Sequence, residues 1–150
     1  MDAYTQLIED SDRLRELIQR WRSHEDTAAS MLPEASQAIR ATAAAKEEIL
    51  YPAIRAHAPE RAALVDDAIR TNMMVEVFLA KAQEIGPGGP GFTDQIHHAA
   101  AAADELLLHE RRDLFPAIRP EALPDAELAR ILDEMNTARA AYEADEAMAG

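Results

Sequence analysis

The chain contains no cysteine among its 150 residues. Disulfide bonds, iron–sulfur clusters and thiol catalysis are therefore excluded, and the lack of cysteine fits any compartment. Glycine is scarce as well, and four of the five glycines fall in one loop, residues 86–91. Long apolar runs are also missing, since no stretch approaches the ~20 residues that a bilayer-spanning helix needs.

Basic residues are few relative to acidic ones. There are 15 Lys and Arg against 28 Asp and Glu, which gives a formal net charge of -13. Binding to phosphates needs a basic face, so we expect neither nucleic acid nor a membrane as a partner. The first residues, Met1 to Tyr4, lack a basic region followed by an apolar run, so we expect no signal peptide. A cytoplasmic location is the resulting expectation.

Apolar residues make up 48% of the chain and recur at intervals of three and four residues, which is the helical period. The stripes run through residues 7–21, 39–53, 65–82 and 96–117. A fifth helix is predicted over about residues 125–145, and no strand pattern is visible. Because short connections join long helices, the sequence predicts an all-α fold. We expect an antiparallel up-down four-helix bundle over residues 1–120 with an additional C-terminal helix over 121–150.

Turn residues and caps divide the predicted helices. The loop at residues 86–91, Gly-Pro-Gly-Gly-Pro-Gly, separates the third helix from the fourth. Pro33 suits the first turn of the second helix, and Thr93 is predicted to cap the fourth.

An imperfect repeat closes two of these helices. The first copy, residues 47–55, reads EEILYPAIR, and the second copy, residues 111–119, reads RRDLFPAIR. The two copies agree from the Leu onward except that Tyr51 stands where the second copy has Phe115, whereas the charged residues before that Leu differ. The repeat predicts two similar helical hairpins, in which each proline kinks or ends its helix.

Each of the four long stripes carries a polar residue near its middle, on the face that should be buried. These residues are Ser11, Thr42 with Lys46, Asn72 and Glu110. Buried polar groups are costly unless they are hydrogen-bonded. The sequence therefore predicts a polar layer across the core, satisfied either internally or by a ligand.

With these features the chain resembles the hemerythrin HHE cation-binding family over about residues 4–120, and the fifth helix is similar to the tail of bacterial members. The resemblance implies a four-helix bundle with two iron ions in its core. It also implies a His after an acidic residue in the first and third helices, and His-x-x-x-Glu in the second and fourth. Positions i and i+4 share a helix face, so that an imidazole and a carboxylate can bind the same metal pair.

Five of the six ligand positions that the resemblance implies hold other residues. In chain order the six positions hold Ser11, Thr42, Lys46, Asn72, Leu106 and Glu110. Only Glu110 matches. Iron needs imidazole nitrogens and carboxylate oxygens, and an ammonium puts positive charge where the metal belongs. We therefore expect no cofactor, although the resemblance implies iron.

The repeat makes Lys46 and Glu110 equivalent positions that should face each other across the core. We predict that the Lys46 ammonium replaces the cations and forms a buried ion pair with Glu110.

The favoured function is a hemerythrin-like bundle that has lost its di-iron site. It would act as a non-metal structural, regulatory or interaction module with a protein partner or as a homodimer. The alternative is a small-molecule-binding protein or an enzyme that uses the six residues of the former metal cavity. A desolvated Lys46 could act as a base or Schiff-base nucleophile. Its neighbour Glu110 would keep the amine charged, so we assign no catalytic residue and favour a non-enzymatic role.

A third reading is a di-iron protein that binds oxygen or nitric oxide through a rearranged site. That site would consist of His109, Glu110 and Asp113, with Glu47 or Glu48 opposite. The sequence leaves this reading open but disfavours it, because one histidine leaves a transition metal with too few ligands.

Overall fold

The computed structural model describes residues 1 to 149, and all regular structure in this range is helical, which confirms the all-α prediction. The α-helices are α1 (Ala3–Arg22), α2 (Glu25–Ser30), α3 (Leu32–Ala45), α4 (Tyr51–His57), α5 (Ala62–Ile85), α6 (Phe92–His109) and α7 (Asp125–Ala149). Among the residues described, none of these helices combines the length and apolarity needed to cross a bilayer.

The helix ends follow the local sequence. The Asp2 side chain accepts a backbone hydrogen bond from the first turn of α1, and Pro33 lies in the first turn of α3 as predicted. The prediction for Thr93 is wrong, because Gly91 precedes α6 with a φ of 82° and Phe92 is already helical. Glycine reaches this left-handed conformation without the steric penalty of a β-carbon. The six-residue α2 carries no apolar stripe and was not predicted.

The buried residues form two clusters. One contains Trp21, whose indole N–H donates to the carbonyl of Ala28 at 3.1 Å, and it lies between α1, α3, α5 and α6. The other contains Tyr51 and Phe115 from the two copies of the repeat, together with the first part of α7. The protein therefore has two apolar clusters rather than one continuous core, and the repeat belongs to the second cluster.

The long helices pack as neighbours. α5 and α6 make the most extensive contact, α1 contacts α3 and α6, and α7 lies against α1 and α3. As predicted, α7 buries Leu128, Ile131 and Leu132, while Met135 is half-buried. α7 extends past the predicted end near residue 145, to Ala149. Gly150, the last residue of the predicted C-terminal segment, lies outside the residues described.

A π-helical turn starts one residue before each copy of the repeat and continues into it. Lys46–Leu50 forms the first turn and Glu110–Leu114 the second, each closed by a backbone bond from an N–H to the carbonyl five residues earlier. The prolines at 52 and 116 explain these turns. Proline has no N–H to donate, and its ring collides with the carbonyl four residues before it, so the helix widens.

The chain leaves the two turns differently. After the first turn, α4 continues to His57, whereas after the second only a short 3₁₀ segment, Phe115–Ile118, follows. Pro120 accounts for the early end, because a residue before proline disfavours the helical region and Arg119 is extended, with a ψ of 160°. The predicted proline effect is therefore a kink in the first copy and a termination in the second.

Candidate functional site

The centre of the site is a buried ion pair. The Nζ atom of Lys46 lies 2.7 Å from Oε1 of Glu110, and the two residues are 6% and 0% exposed. The predicted pairing is confirmed. The chain has two lysines, Lys46 and Lys81, and Lys81 is exposed, so the burial of Lys46 is specific to this position.

Tyr51 completes the hydrogen bonding of the carboxylate. Its hydroxyl donates to Oε2 of Glu110 at 2.7 Å, so each oxygen of the carboxylate has its own donor. Burial of the phenol raises the pKa of Tyr51 well above 10.0, and the negative charge of Glu110 adds to the rise, while the side chain of Asn72 acts in the opposite direction. At neutral pH the phenol therefore stays protonated and remains a donor.

The first π turn explains how Lys46 and Tyr51 can approach the same carboxylate. In a regular α-helix, residues five apart are rotated by about 140° around the axis, which would point one of them away. The bond from the Tyr51 N–H to the Lys46 carbonyl closes a wider turn that reduces this rotation. Both side chains therefore lie on the inward face. π turns of this kind occur often at functional sites.

Tyr51 was missed as a site residue by sequence reasoning. The only signal for it was the mismatch between Tyr51 and Phe115 inside an otherwise identical stretch of the repeat. Both residues are fully buried, so both satisfy the apolar core, but only the tyrosine adds a hydroxyl.

A pocket of about 360 Å³ lies beside the ion pair, between α1, α3 and α7. Three residues of the polar layer line it, namely Ser11 and Lys46, which are buried, and Thr42, which is half-buried, and we call them its inner end. The side walls are apolar and come from leucines of α1, α6 and α7, together with Phe115 and Met135. Two acidic and two basic residues line the pocket at its outer edge: Asp10, Arg13, Arg139 and Glu143. The pocket therefore combines apolar walls with the polar residues of the inner end and with charged residues.

The hydroxyl of Ser11 is an exception to the good hydrogen bonding of this layer. Ser11 is 6% exposed, and its Oγ atom has no hydrogen-bond partner among the residues described. A buried polar group without a partner costs free energy. Ser36, which is also buried, instead donates to the carbonyl of Pro33 at 3.2 Å.

The structure brings the six predicted positions together around Lys46. Ser11 and Thr42 share the large pocket with it. A second cavity of about 20 Å³, room for roughly one water, is lined by Thr42, Lys46, Asn72 and Leu106. Glu110 lines neither cavity and joins the group through its bond to Lys46. That these residues bind a ligand stays a prediction.

The alternative metal site from His109, Glu110 and Asp113 has a different geometry. Nδ1 of His109 lies 2.9 Å from Oδ2 of Asp113, one turn along the helix surface, as the spacing predicts. Hydrogen bonds from Arg112 lower the pKa of Asp113, while Glu110 is occupied by Lys46 and Tyr51. Glu47 and Glu48 are both exposed.

The donors at the core do not suit iron. Within residues 1 to 149, no group of three or more His, Cys, Asp or Glu side chains is placed to hold a metal ion. The only carboxylate of the polar layer is bound by an ammonium at 2.7 Å. An ammonium in this place competes directly with a metal cation.

Comparison of the chain with models of protein families, with characterised proteins and with solved structures finds no match in any of the three.

Proposed function

We propose that the chain is a degenerate hemerythrin-like protein. In this proposal α1, α3 with α4, α5 and α6 form an antiparallel four-helix bundle, and α7 is the additional helix that covers α1 and α3. The support comes from the repeat, whose two π turns start at equivalent positions, Lys46 and Glu110. It also comes from the six positions of the resemblance, which converge on one polar layer.

The proposed function is that of a regulatory module that binds a small molecule in place of the metal. The observation that carries it is the pocket of about 360 Å³ that ends on Ser11, Thr42 and Lys46. Its volume lies within the ~300–1,000 Å³ typical of ligand sites, and such sites combine apolar walls with a few convergent polar groups.

Lys46 has capacity for a ligand in addition to its ion pair. An ammonium has three N–H donors, and one of them is directed at Glu110. Lys46 lines the pocket, so a molecule inside it can accept a hydrogen bond from one of the other two. This interaction leaves the ion pair intact and requires no chemistry at the amine.

Binding can be tested with N-phenyl-1-naphthylamine, an uncharged dye that becomes fluorescent in apolar sites. We expect saturable binding with one dye per chain. Ala38 lines the pocket, so Ala38→Phe should fill it and abolish binding. Ala44 is on the same helix but lines a different groove, so Ala44→Phe is the matched control and should bind normally. Equal binding by the two variants, or none by the parent chain, would overturn the proposal.

The absence of a metal function has its own test. Elemental analysis of the purified protein, together with its visible spectrum, should give far less than one iron per chain. About two irons per chain with oxo-bridge absorption would contradict the proposal and restore the di-iron alternative.

An exposed apolar patch favours a second candidate, an interaction module. Met73, Met74 and Val77 lie on α5 with exposures of 63%, 54% and 53%. Patches of this kind often mark contact surfaces between proteins. Light scattering after size-exclusion chromatography distinguishes the possibilities: a concentration-dependent dimer that Met74→Glu disrupts would support a homodimer, and a monomer throughout would contradict it.

A further inference from the structure

The chemistry of the pocket narrows its ligand to one class. Resting on the proposed function, we infer that the ligand is an uncharged amphiphile with a hydrogen-bond acceptor at one end, such as an amide or a ketone, on an aliphatic body. The acceptor would lie at the inner end of the pocket, beside Lys46 and Thr42.

The inner end offers donors and no free acceptor of comparable strength. The Lys46 ammonium can only donate, and the hydroxyl of Thr42, which lines the pocket with it, can donate as well. Both oxygens of Glu110 already accept, one from Lys46 and one from Tyr51, each at 2.7 Å. A ligand whose polar end only donates would therefore find no carboxylate available.

The charge at the inner end is already balanced. Lys46 and Glu110 neutralise each other in a buried setting, where their exposures are 6% and 0%. A carboxylate or an ammonium from the ligand would add a buried charge without a counter-charge, which is costly. A carbonyl group accepts the same hydrogen bonds without that penalty.

Neither the charged residues at the outer edge of the pocket nor the net charge of the chain favours an anionic ligand. Arg13 is paired with Asp10, and Arg139 donates to Asn136 at 3.0 Å, so neither guanidinium is without a partner. Glu143 adds a second acid at the same edge. A net charge of -13 lowers the local concentration of anions around the protein.

The apolar walls and the volume of the pocket determine what the rest of the ligand can be. Leu7, Leu14 and Leu17 of α1 line the pocket opposite Leu132 and Met135 of α7. Its volume of about 360 Å³ lies near the small end of the ~300–1,000 Å³ range of ligand sites. An aliphatic chain of about eight carbons with a small polar end is an appropriate probe.

Three probes with the same chain and different ends test the inference: octanamide, octanoate and octylamine at pH 7, each measured by displacement of N-phenyl-1-naphthylamine. We expect octanamide to bind at least about tenfold more tightly than either charged probe, because only the charged ends leave an uncompensated buried charge. If octanoate or octylamine binds as well as octanamide, the inference is wrong while the proposed function stands. If neither the dye nor any probe binds, the proposed function fails and the inference with it.

Two variants locate the acceptor. Thr42→Val should weaken octanamide about three- to tenfold, which is the effect of one hydrogen bond, whereas Ser36→Ala should not change binding because Ser36 lies outside this pocket. Glu110→Gln leaves the Lys46 charge unbalanced and should reverse the preference, so that octanoate binds more tightly than octanamide. An unchanged preference in a folded Glu110→Gln protein would place the polar end of the ligand elsewhere and overturn the inference.

Discussion

The two copies of the repeat share a backbone and differ in what they place in the core. Lys46 and Glu110, which directly precede the copies, each start a π turn, and a proline follows six residues later in both. At the neighbouring inward positions, the first half again carries the more polar residue and the second half an apolar one. Thr42 and Tyr51 of the first half correspond to Leu106 and Phe115 of the second.

The difference shows how one carboxylate can be satisfied without a metal. Two equivalent carboxylates facing each other would repel and would need an external cation between them. Here the first half supplies two donors, Lys46 and Tyr51, and the second half supplies the single acceptor, Glu110. A nearly symmetric pair of helices thus carries an asymmetric set of side chains that is complete within the chain.

The largest expected effect comes from removing the cation of the first half. Lys46→Met leaves the Glu110 charge buried without its counter-charge and should lower the free energy of unfolding by about 3–5 kcal/mol. Urea denaturation measures the change. Lys81→Met removes the exposed lysine and should change stability by less than about 0.5 kcal/mol.

A triple variant replaces all three polar side chains of the comparison with apolar ones. Lys46→Met combined with Tyr51→Phe and Glu110→Leu makes the three positions apolar and should recover most of the lost stability, because neither a buried charge nor the phenol is left without its partner. A loss equal to that of Lys46→Met alone would show that the polar layer is not what the single variant disturbs.

The second-largest expected effect comes from removing the hydroxyl of Tyr51, which the second copy lacks. Tyr51→Phe makes the copies identical from the Leu to the Arg and should cost about 1.5–3 kcal/mol, the contribution of a hydrogen bond to a charged group. Urea denaturation at pH 7 measures this effect. A cost below about 0.5 kcal/mol would mean that the carboxylate does not depend on the first copy for its second donor.

Alkaline pH should distinguish the copies because Tyr51 has a phenol that can ionise where the second copy has Phe115. Its pKa in the folded chain is raised above 10.0, so the unfolded chain loses the proton first as the pH rises. The stability from this group is complete below about pH 10 and then falls by up to about 1.4 kcal/mol per pH unit until the folded phenol ionises. Urea denaturation between pH 8 and 11 should show this loss in the parent chain.

Two variants assign the alkaline loss to one residue. Tyr51→Phe should remove most of the decline, and a smaller part should remain because burial also raises the pKa of Tyr142. Tyr4→Phe, which changes a half-buried tyrosine of α1, should leave most of the decline. An identical decline in Tyr51→Phe and in the parent chain would contradict the assignment.

The smallest expected effect concerns two buried serines. Ser11→Ala removes a hydroxyl that has no partner and should leave stability unchanged or raise it by up to about 1 kcal/mol. Ser36→Ala removes a donor that bonds to the Pro33 carbonyl and should cost about 0.5–1.5 kcal/mol. Thermal unfolding of both variants is a sufficient measurement. Equal losses would indicate that Ser11 has an internal partner after all.

The helical class, the inward face of α7 and the ion pair could be predicted because each leaves a periodic or repeated signal in the chain. The hydrophobic period fixed which faces are buried, and the repeat made Lys46 and Glu110 equivalent. Tyr51 could not be assigned in this way, because its role depends on the wider π turn, and sequence periodicity assumes a regular helix.

The pocket was beyond prediction for a related reason. It exists because α7 lies across α1 and α3, and the stripe on α7 tells which residues it buries but not which helices it covers. The prediction for the start of α6 was wrong because Gly91, with its positive φ, precedes the helix, which therefore begins before Thr93.

The single tryptophan gives this molecule a built-in test of cooperativity. Trp21 is fully buried in the cluster that does not contain the ion pair, whereas Tyr51 belongs to the other cluster. Tyr4 packs against the Tyr51 cluster, but Tyr142 lines a groove beside Val75 and Leu79 of the Trp21 cluster. In a Tyr142→Phe background, indole fluorescence and phenol absorbance therefore report on the two different clusters. If the two signals give one denaturation curve, the clusters unfold together as a two-state system. If they separate in Lys46→Met, the ion pair couples the two ends of the protein as well as stabilising its own.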